Sequence, residues 1–149
     1  MSWRPDLSIV ESIVSFQSAS RKRGGVAFFL KNTAKLRHRF WSIVTASDIN
    51  RNAEISPDLK LPHPNGVVIH QDVRIGSNCM IMQQVTIGQL ADGQAPVIGS
   101  GVYIGAGAKI LGGISVGDNA RIGANSVVLC DVPENCTAVG IPARLITKS

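Results

Sequence analysis

Aliphatic residues recur every six positions over most of the segment from residue 67 to residue 129. Two sets keep the spacing, one on each side of an interruption: Ile69, Ile75, Ile81 and Ile87, then Ile98, Ile104, Ile110, Val116, Ile122 and Val128. A small or β-branched residue stands two positions before all of them except Ile98, and Gly directly follows six of them. A period of six drifts around a helix of about 3.6 residues per turn, so the pattern indicates strands. Short fixed periods of this kind are typical of β-helical solenoids.

The six-residue unit is long enough for one short strand and one turn. Three units close a triangular coil of about 18 residues, in which the repeated aliphatic points inward and stacks about 4.8 Å from its counterpart in the next coil. The spacing extends back to Ile49, Ile55 and Leu61. We therefore expect a mainly β protein, with a parallel β-helix and its C-terminal tail over residues 47–149 and a short helical segment over residues 1–46.

The helical segment is predicted to contain two helices. Leu7, Val10 and Ile13 form one apolar face over residues 6–18. A second helix is expected over residues 26–45, with apolar residues at helical spacings and a basic opposite face formed by Lys31, Lys35, Arg37, His38 and Arg39. That basic face is interpreted as solvated, on a helix that packs against a partner subunit or caps the coil. The alternative partner of the basic face is an anionic substrate or a membrane surface, and membrane contact is not expected.

Composition excludes some classes of partner and suggests a compartment. The net charge is +5, but residues 1–45 carry eight Lys and Arg against two acidic residues, so the basic character belongs to the helical segment. With seven aromatic residues in all, stacking surfaces for nucleic acid are not expected. The chain starts without an apolar leader, and three cysteines leave one unpaired, so we expect a cytoplasmic protein.

The repeat is broken twice, and both breaks are candidate functional positions. Two extra residues enter at Pro62–Gly66, and a longer insertion over residues 89–96 predicts a protruding loop. Loops inserted into a rigid scaffold commonly carry its function. His63 lies in the first break, between two prolines, where an imidazole can accept a proton from a hydroxyl near neutral pH. A lone histidine is, however, more often structural.

Asp48 precedes His63 by fifteen residues, somewhat less than one coil. A carboxylate roughly one layer below the imidazole could orient the ring and stabilise its protonated form. A cap at the end of a helix or strand explains Asp48 equally well. No metal site is expected, because the three histidines are scattered and the three cysteines match no ligand spacing.

With these residues in hand, the chain resembles the serine acetyltransferases and, more broadly, the hexapeptide-repeat acyltransferases over residues 48–144. The segments that carry the resemblance are Asp48–Ile49, His63–Ile69, Gln83–Gly88, Ile104–Gly112, Ile122–Val128 and Gly140–Arg144. The resemblance implies a left-handed β-helix, one of the few exceptions to right-handed crossovers, and a homotrimer. It also implies acetyl-CoA as co-substrate, bound in the groove between neighbouring coils.

The same resemblance implies roles for individual residues. His63 would be the general base and Asp48 its orienting partner, with the acceptor hydroxyl attacking the thioester directly. The backbone around Gly88, Ala106 and Ala124 would bind the pantetheine arm. The CoA phosphates would be met by three basic side chains, for which a solvated outer face is the alternative: Lys109, Arg121 and Arg144.

The departures from the family pattern bear on the acceptor. Serine acetyltransferases usually have an acidic residue directly before the catalytic His, where this chain has Pro62, and an Arg-His pair in the loop, where it has Gln94 and Ala95. Without these contacts a free amino acid is poorly held, so we expect a sugar or saccharide hydroxyl as acceptor. Serine is the alternative acceptor. A non-catalytic hexapeptide assembly protein and a zinc lyase are the alternatives from other classes.

Overall fold

The computed structural model describes residues 4–22, 24–91 and 93–146. Over these residues two helices, α1 (Pro5–Ser20) and α2 (Gly25–Thr45), precede a series of short strands. The strands are β1 (Asp48–Ile49), β2 (Glu54–Ile55), β3 (Val68–Ile69), β4 (Arg74–Ile75), β5 (Met80–Ile81), β6 (Thr86–Gly88), β7 (Val97–Ile98), β8 (Tyr103–Ile104), β9 (Lys109–Leu111), β10 (Ser115–Val116), β11 (Arg121–Ile122), β12 (Val127–Val128), β13 (Thr137–Gly140) and β14 (Ala143–Ile146).

The strands form three sheets, which are the faces of a β-helix. The first face has the order β1-β3-β6-β9-β12, the second β2-β4-β7-β10 and the third β5-β8-β11-β13-β14. Every pairing is parallel except the last, in which β14 folds back antiparallel on β13. The predicted fold class, a mainly β protein with a parallel β-helix after a short N-terminal helical segment, is confirmed.

Inward-pointing aliphatic side chains build the core from stacked columns. On the first face Ile49, Ile69, Ile87, Ile110 and Val128 pair in register from coil to coil, and all five are buried. Each such side chain contributes about 1.5–3 kcal/mol by leaving water. The six-residue spacing of the aliphatic residues therefore reflects their stacking in these columns.

Cys79 lies in the column of small inward residues, as its position predicts. Its side chain is fully buried, and Sγ donates a hydrogen bond to the carbonyl of Gly99 at 3.0 Å. Burial raises the pKa of this thiol above its usual value, which keeps it protonated and unreactive.

Helices α1 and α2 pack together and cover the first coil. Ile9, Val10 and Ile13 of α1 belong to the same buried cluster as Ile49 and Ile55 of the coil. None of the helices that the structure describes is long and apolar enough to cross a membrane.

The orientation of α2 differs from the sequence prediction. The face that packs inward is made of small or polar residues, among them Ala34, His38 and Thr45. Phe29 and Ile43 are instead about two-thirds or more exposed, at 68% and 72%. The assignment of His38 to a solvated basic face was therefore wrong, because close approach to α1 needs small side chains and the bulky apolar ones turn outward.

Burial makes His38 a source of pH-dependent stability. Desolvation, with a smaller contribution from Arg51, lowers the pKa of its imidazole, whereas Ile49 and Asp48 partly offset this. The folded protein therefore favours the neutral ring, and below about pH 6.5 the unfolded chain takes up the proton more readily. We expect the free energy of unfolding to fall as the pH drops through this range, measured by urea titration, and to fall less in His38→Gln. An equal pH dependence in both proteins would contradict this assignment.

Candidate active site

The His63 loop leaves the coil at the corner between the third and first faces. Ile49 pairs with Ile69, twenty positions on, whereas Ile69 pairs with Ile87, eighteen positions on, which confirms the two-residue insertion. The Gly66 N–H donates to the carbonyl of Ala46 at 2.9 Å, and the Gln84 N–H donates to that of Asn65 at 2.9 Å. The loop is thus tied to the coils before and after it.

His63 itself is exposed on this anchored loop. Pro62 is exposed beside it, whereas Pro64 on its other side is buried and holds the loop against the coil. Residues 62–66 contain no Asp, Glu, Lys or Arg. The imidazole of His63 is therefore accessible from solvent, and its role as a general base stays a prediction.

Asp48 begins β1 on the first face, in register with Val68 of β3. Its side chain is exposed, on the face that the His63 loop enters. Among the residues that the structure describes, no hydrogen bond or ion pair joins Asp48 to His63. The Asp48–His63 pair stays a prediction.

Small residues continue the same corner above the His63 loop. The Gly107 N–H donates to the Gln83 carbonyl at 2.9 Å, and the Asn125 N–H donates to the Ala106 carbonyl at 2.8 Å, so Ala106 and Ala124 stack in successive coils. Gly107 has φ +74°, and a Cβ there would collide with the Asn125 amide. The Asn125 side chain thus lies against Gly107, whereas Ala106 and Ala124 add only methyl groups to the corner.

Gly88 does not share this corner. It ends β6 on the opposite edge of the first face, where its carbonyl accepts from the Gly112 N–H at 3.0 Å. Within one chain the structure thus brings Ala106 and Ala124 together and separates Gly88 from both of them.

The three basic candidates lie on the two faces that meet at this corner. Lys109, on β9 of the first face, donates from Nζ to the Gln84 carbonyl at 2.8 Å. Arg121, on β11 of the third face, lies with its guanidinium 4.8 Å from the centre of the Tyr103 ring. Arg144 is exposed on β14, at the C-terminal end of the third face.

From the sequence, no individual role was assigned to two residues near this corner, Gln84 and Tyr103. Gln84 has a positive φ of 59°, and it connects the His63 loop to Lys109 through its backbone. Tyr103 supplies the ring beneath Arg121. The sequence did offer a sign for Gln84, because Gln83–Gln84 occupies a turn of the repeat. Its contacts with the neighbouring coils, however, are visible only in the structure.

The described residues of the second insertion, 89–91 and 93–96, lie at the other edge of the first face, where Gln89 contacts the coil. Gln89 Nε2 donates to Asp72 Oδ2 at 3.0 Å and to the Gly93 carbonyl at 2.9 Å. Asp72 in turn lies 3.5 Å from Nδ1 of His70. Within residues 4–22, 24–91 and 93–146, no group of three His, Cys, Asp or Glu side chains could hold a metal ion.

Comparison with known proteins relates this architecture to a family. Residues 95–130 match the family described as bacterial transferase hexapeptide (six repeats). A serine acetyltransferase of Synechococcus elongatus is 43% identical over 110 residues, covering 72% of this chain and 45% of that enzyme. The chain thus spans less than half the length of that relative.

Two solved structures extend the match to the whole fold. A serine acetyltransferase from Brucella abortus in complex with coenzyme A superimposes with a TM-score of 0.83 at 32% identity, covering 99% of this chain and 58% of that one. Soybean serine acetyltransferase complexed with serine gives 0.72 at 35% identity, covering 95% of this chain and 70% of that one. Because the chain matches the hexapeptide family, its β-helix is left-handed, as the resemblance implies. The chain belongs to the hexapeptide-repeat acyltransferases, among the relatives of the serine acetyltransferases.

Proposed function

We propose that this protein is an acetyl-CoA-dependent O-acetyltransferase in which His63 acts as general base. The observation that carries the proposal is the exposed imidazole on an anchored insertion, at the corner where Ala106 and Ala124 leave the backbone accessible. A relative with the same fold is known in complex with coenzyme A, which supports acetyl-CoA as donor.

The reaction would be a direct transfer. The imidazole of His63 takes the proton of the acceptor hydroxyl while the oxygen attacks the thioester carbonyl. The carbon–sulfur bond then breaks, the acetyl group stays on the acceptor oxygen, and the imidazolium returns its proton to the departing CoA thiolate. Asp48 would orient the ring and stabilise its protonated form.

The donor would lie along the corner above His63. The backbone at Ala106 and Ala124 would bind the pantetheine arm, and Lys109, Arg121 and Arg144 would meet the phosphates. Gly88 lies on the opposite edge of the face, so it would contribute to such a groove from a neighbouring copy of the chain.

A homotrimer accounts for this division and for the outward apolar face of α2. Phe29, Leu36 and Ile43 are each about two-thirds or more exposed in a single chain, and a neighbouring copy would cover such a surface. Light scattering on the purified protein would test this through the molar mass, and a monomer at micromolar concentration would argue against it.

L-serine is the first acceptor to consider, because the relatives named above are serine acetyltransferases. A saccharide hydroxyl is the second candidate. It is favoured by the composition of the loop, since Pro62 precedes the ring and residues 62–66 hold no Lys or Arg for a carboxylate.

An acceptor assay separates the two candidates. Purified protein with acetyl-CoA and a thiol reagent should release CoA faster with L-serine than without an acceptor, and a panel of sugars run in parallel tests the saccharides. Release with saccharides alone would replace serine by the second candidate. If neither L-serine nor any of the sugars increases the release of CoA, the proposed transfer is contradicted.

A further inference from the structure

The second insertion leaves the first face directly after Gly88. Gly88 ends β6, and its carbonyl accepts from the Gly112 N–H of the next coil at 3.0 Å. The described residues of the insertion, 89–91 and 93–96, lead to β7, which begins at Val97. Connecting segments are usually more mobile than the elements that they join, so the contacts that hold this one decide the shape of the Gly88 edge.

The coil before the insertion provides one anchor, Asp72, in the turn between β3 and β4. Gln89 Nε2 donates to Asp72 Oδ2 at 3.0 Å and to the Gly93 carbonyl at 2.9 Å, so a single amide joins the coil to the middle of the insertion. The Gly93 N–H donates to the Leu90 carbonyl at 3.0 Å, which closes a turn within the insertion. The Asp72 carboxylate also lies 3.5 Å from Nδ1 of His70.

The coil after the insertion provides the other anchor, Gly112–Gly113. A Cβ at Gly113 would collide with the Gln94 side chain and lie 2.7 Å from its Cβ, so Gln94 rests directly on this glycine. A Cβ at Gly112 would lie 3.1 Å from Cδ1 of Leu90. Gly112 has a positive φ of 87°, whereas Gly113 does not. The close approach of Gln94 is therefore what a side chain at Gly113 would disturb.

These anchors lie on the coils that flank Gly88, along one edge of the first face. The His70 N–H donates to the Ile87 carbonyl at 3.0 Å, which places the coil of Asp72 directly before that of Gly88. Gly113 belongs to the coil that follows, where Gly112 pairs with Gly88. The insertion thus spans the Gly88 edge from both sides, and it cannot leave the coil without losing one of these contacts.

We propose that Asp72 and Gly113 are positioning residues, which hold the second insertion against the coil and so keep the Gly88 edge in the shape that binds the donor. The inference rests on the proposed function, because this edge needs a fixed shape only if Gly88 contributes to a CoA groove. Without an anchor the insertion would leave the coil for part of the time. The apparent affinity for CoA then falls in proportion to the fraction of protein in the competent conformation.

Binding of CoA to the purified protein, measured by calorimetry, tests the Asp72 anchor. We expect Asp72→Ala to raise the Kd for CoA about fivefold, as the loss of one hydrogen bond would. The KM for acetyl-CoA should rise by a similar factor, whereas kcat with the active acceptor of the panel stays within about twofold at saturating acetyl-CoA. Asp72→Asn should bind CoA almost normally, because its amide oxygen still accepts from Gln89. Gln71→Ala, which removes the neighbouring exposed side chain, is the control.

Variants of Gln89 test the same contact from its other end. Gln89→Glu replaces the donor by a second carboxylate facing Asp72, and it should weaken CoA binding at least as much as Asp72→Ala. The reversed pair, Asp72→Asn with Gln89→Glu, should recover most of the affinity, because an amide can again donate to a carboxylate. Asp72→Ala combined with Gln89→Ala should lose no more affinity than either change alone, since both remove one contact.

Gly113→Ala tests the second anchor, with Gly25→Ala as the matched control, because nothing lies within 4 Å of a Cβ at Gly25. Gly113→Ala should displace Gln94 and raise the Kd for CoA about fivefold or more. Hydrogen–deuterium exchange should become faster in peptides that cover the insertion and stay unchanged in the rest of the coil. Gly25→Ala should alter neither CoA binding nor exchange in the insertion.

The outcomes separate this inference from the proposed function. If the unmodified protein does not bind CoA, the proposed function fails, and the positioning role fails with it. If CoA binds and His63→Ala is slow, but Asp72→Ala and Gln89→Glu bind CoA as tightly as Gln71→Ala, only the positioning role is overturned. Lower stability in urea with unchanged CoA binding would likewise make the anchors purely structural. Should Gly113→Ala fail to fold, the Asp72 and Gln89 variants decide the question.

Discussion

His63→Ala should lower turnover with acetyl-CoA by about 100-fold or more while leaving the fold intact. General-base catalysis typically contributes about 10²–10⁴-fold, and no other imidazole is present on the loop to replace it. Because the side chain is exposed, its loss removes little packing, so the unfolding free energy should change by less than about 0.5 kcal/mol. CoA release measured with a thiol reagent reports the first quantity and urea unfolding the second.

Arg74→Ala is the control for this variant. Arg74 lies on the second face in an exposed ion pair with Glu54 at 3.2 Å, so its removal should change neither turnover nor stability appreciably. Turnover in His63→Ala that stays close to that of the unmodified protein would remove the imidazole from the mechanism. It would then leave a non-catalytic assembly role as the better explanation of the repeat.

Ile110→Ala should have the largest effect on stability, about 2–5 kcal/mol. Ile110 is fully buried in the first-face column, in register between Ile87 of the coil before and Val128 of the coil after. Removing its side chain leaves a cavity that two neighbouring coils cannot close without losing their own strand pairing. The measurement is the free energy of unfolding in urea.

Ile110→Val is the graded comparison, since it removes one methylene and should cost about 0.5–1.5 kcal/mol. The ratio between the two variants distinguishes a cavity from a general loss of β propensity, because Val is at least as favourable as Ile in strands. A cost below about 1 kcal/mol for Ile110→Ala would show that the column is not packed as the register indicates.

The fold was predictable because a solenoid is built from local repetition. Each inward aliphatic meets its counterpart in the next coil, so counting three six-residue units per coil, continued across the second insertion, predicts the column of Ile69, Ile87 and Ile110. Both breaks in the spacing were predictable for the same reason. The exposed position of His63 follows from the first break, since residues added to a closed coil must leave it.

The helical segment was not predictable in the same way. Both faces of α2 are plausible packing surfaces by sequence, and the more apolar one was the natural choice for contact. Ala34 and His38 turn inward because α1 approaches closely, and this proximity depends on the partner helix rather than on the residues of α2. The contact of Gln17 with the Ala53 carbonyl and that of His38 with Ser12 depend on the same packing.

The sequence of this chain by itself determined the solenoid, its two breaks and the loop that carries His63. Each coil repeats the same local unit and packs on the coil next to it, so the pattern of residues is enough to predict the stacking. Only the tertiary structure decided which residues share an edge: Ala106 and Ala124 lie at the corner above His63, whereas Gly88 lies across the face. These relations depend on the phase of the coil and on helix packing, which residue spacing does not encode.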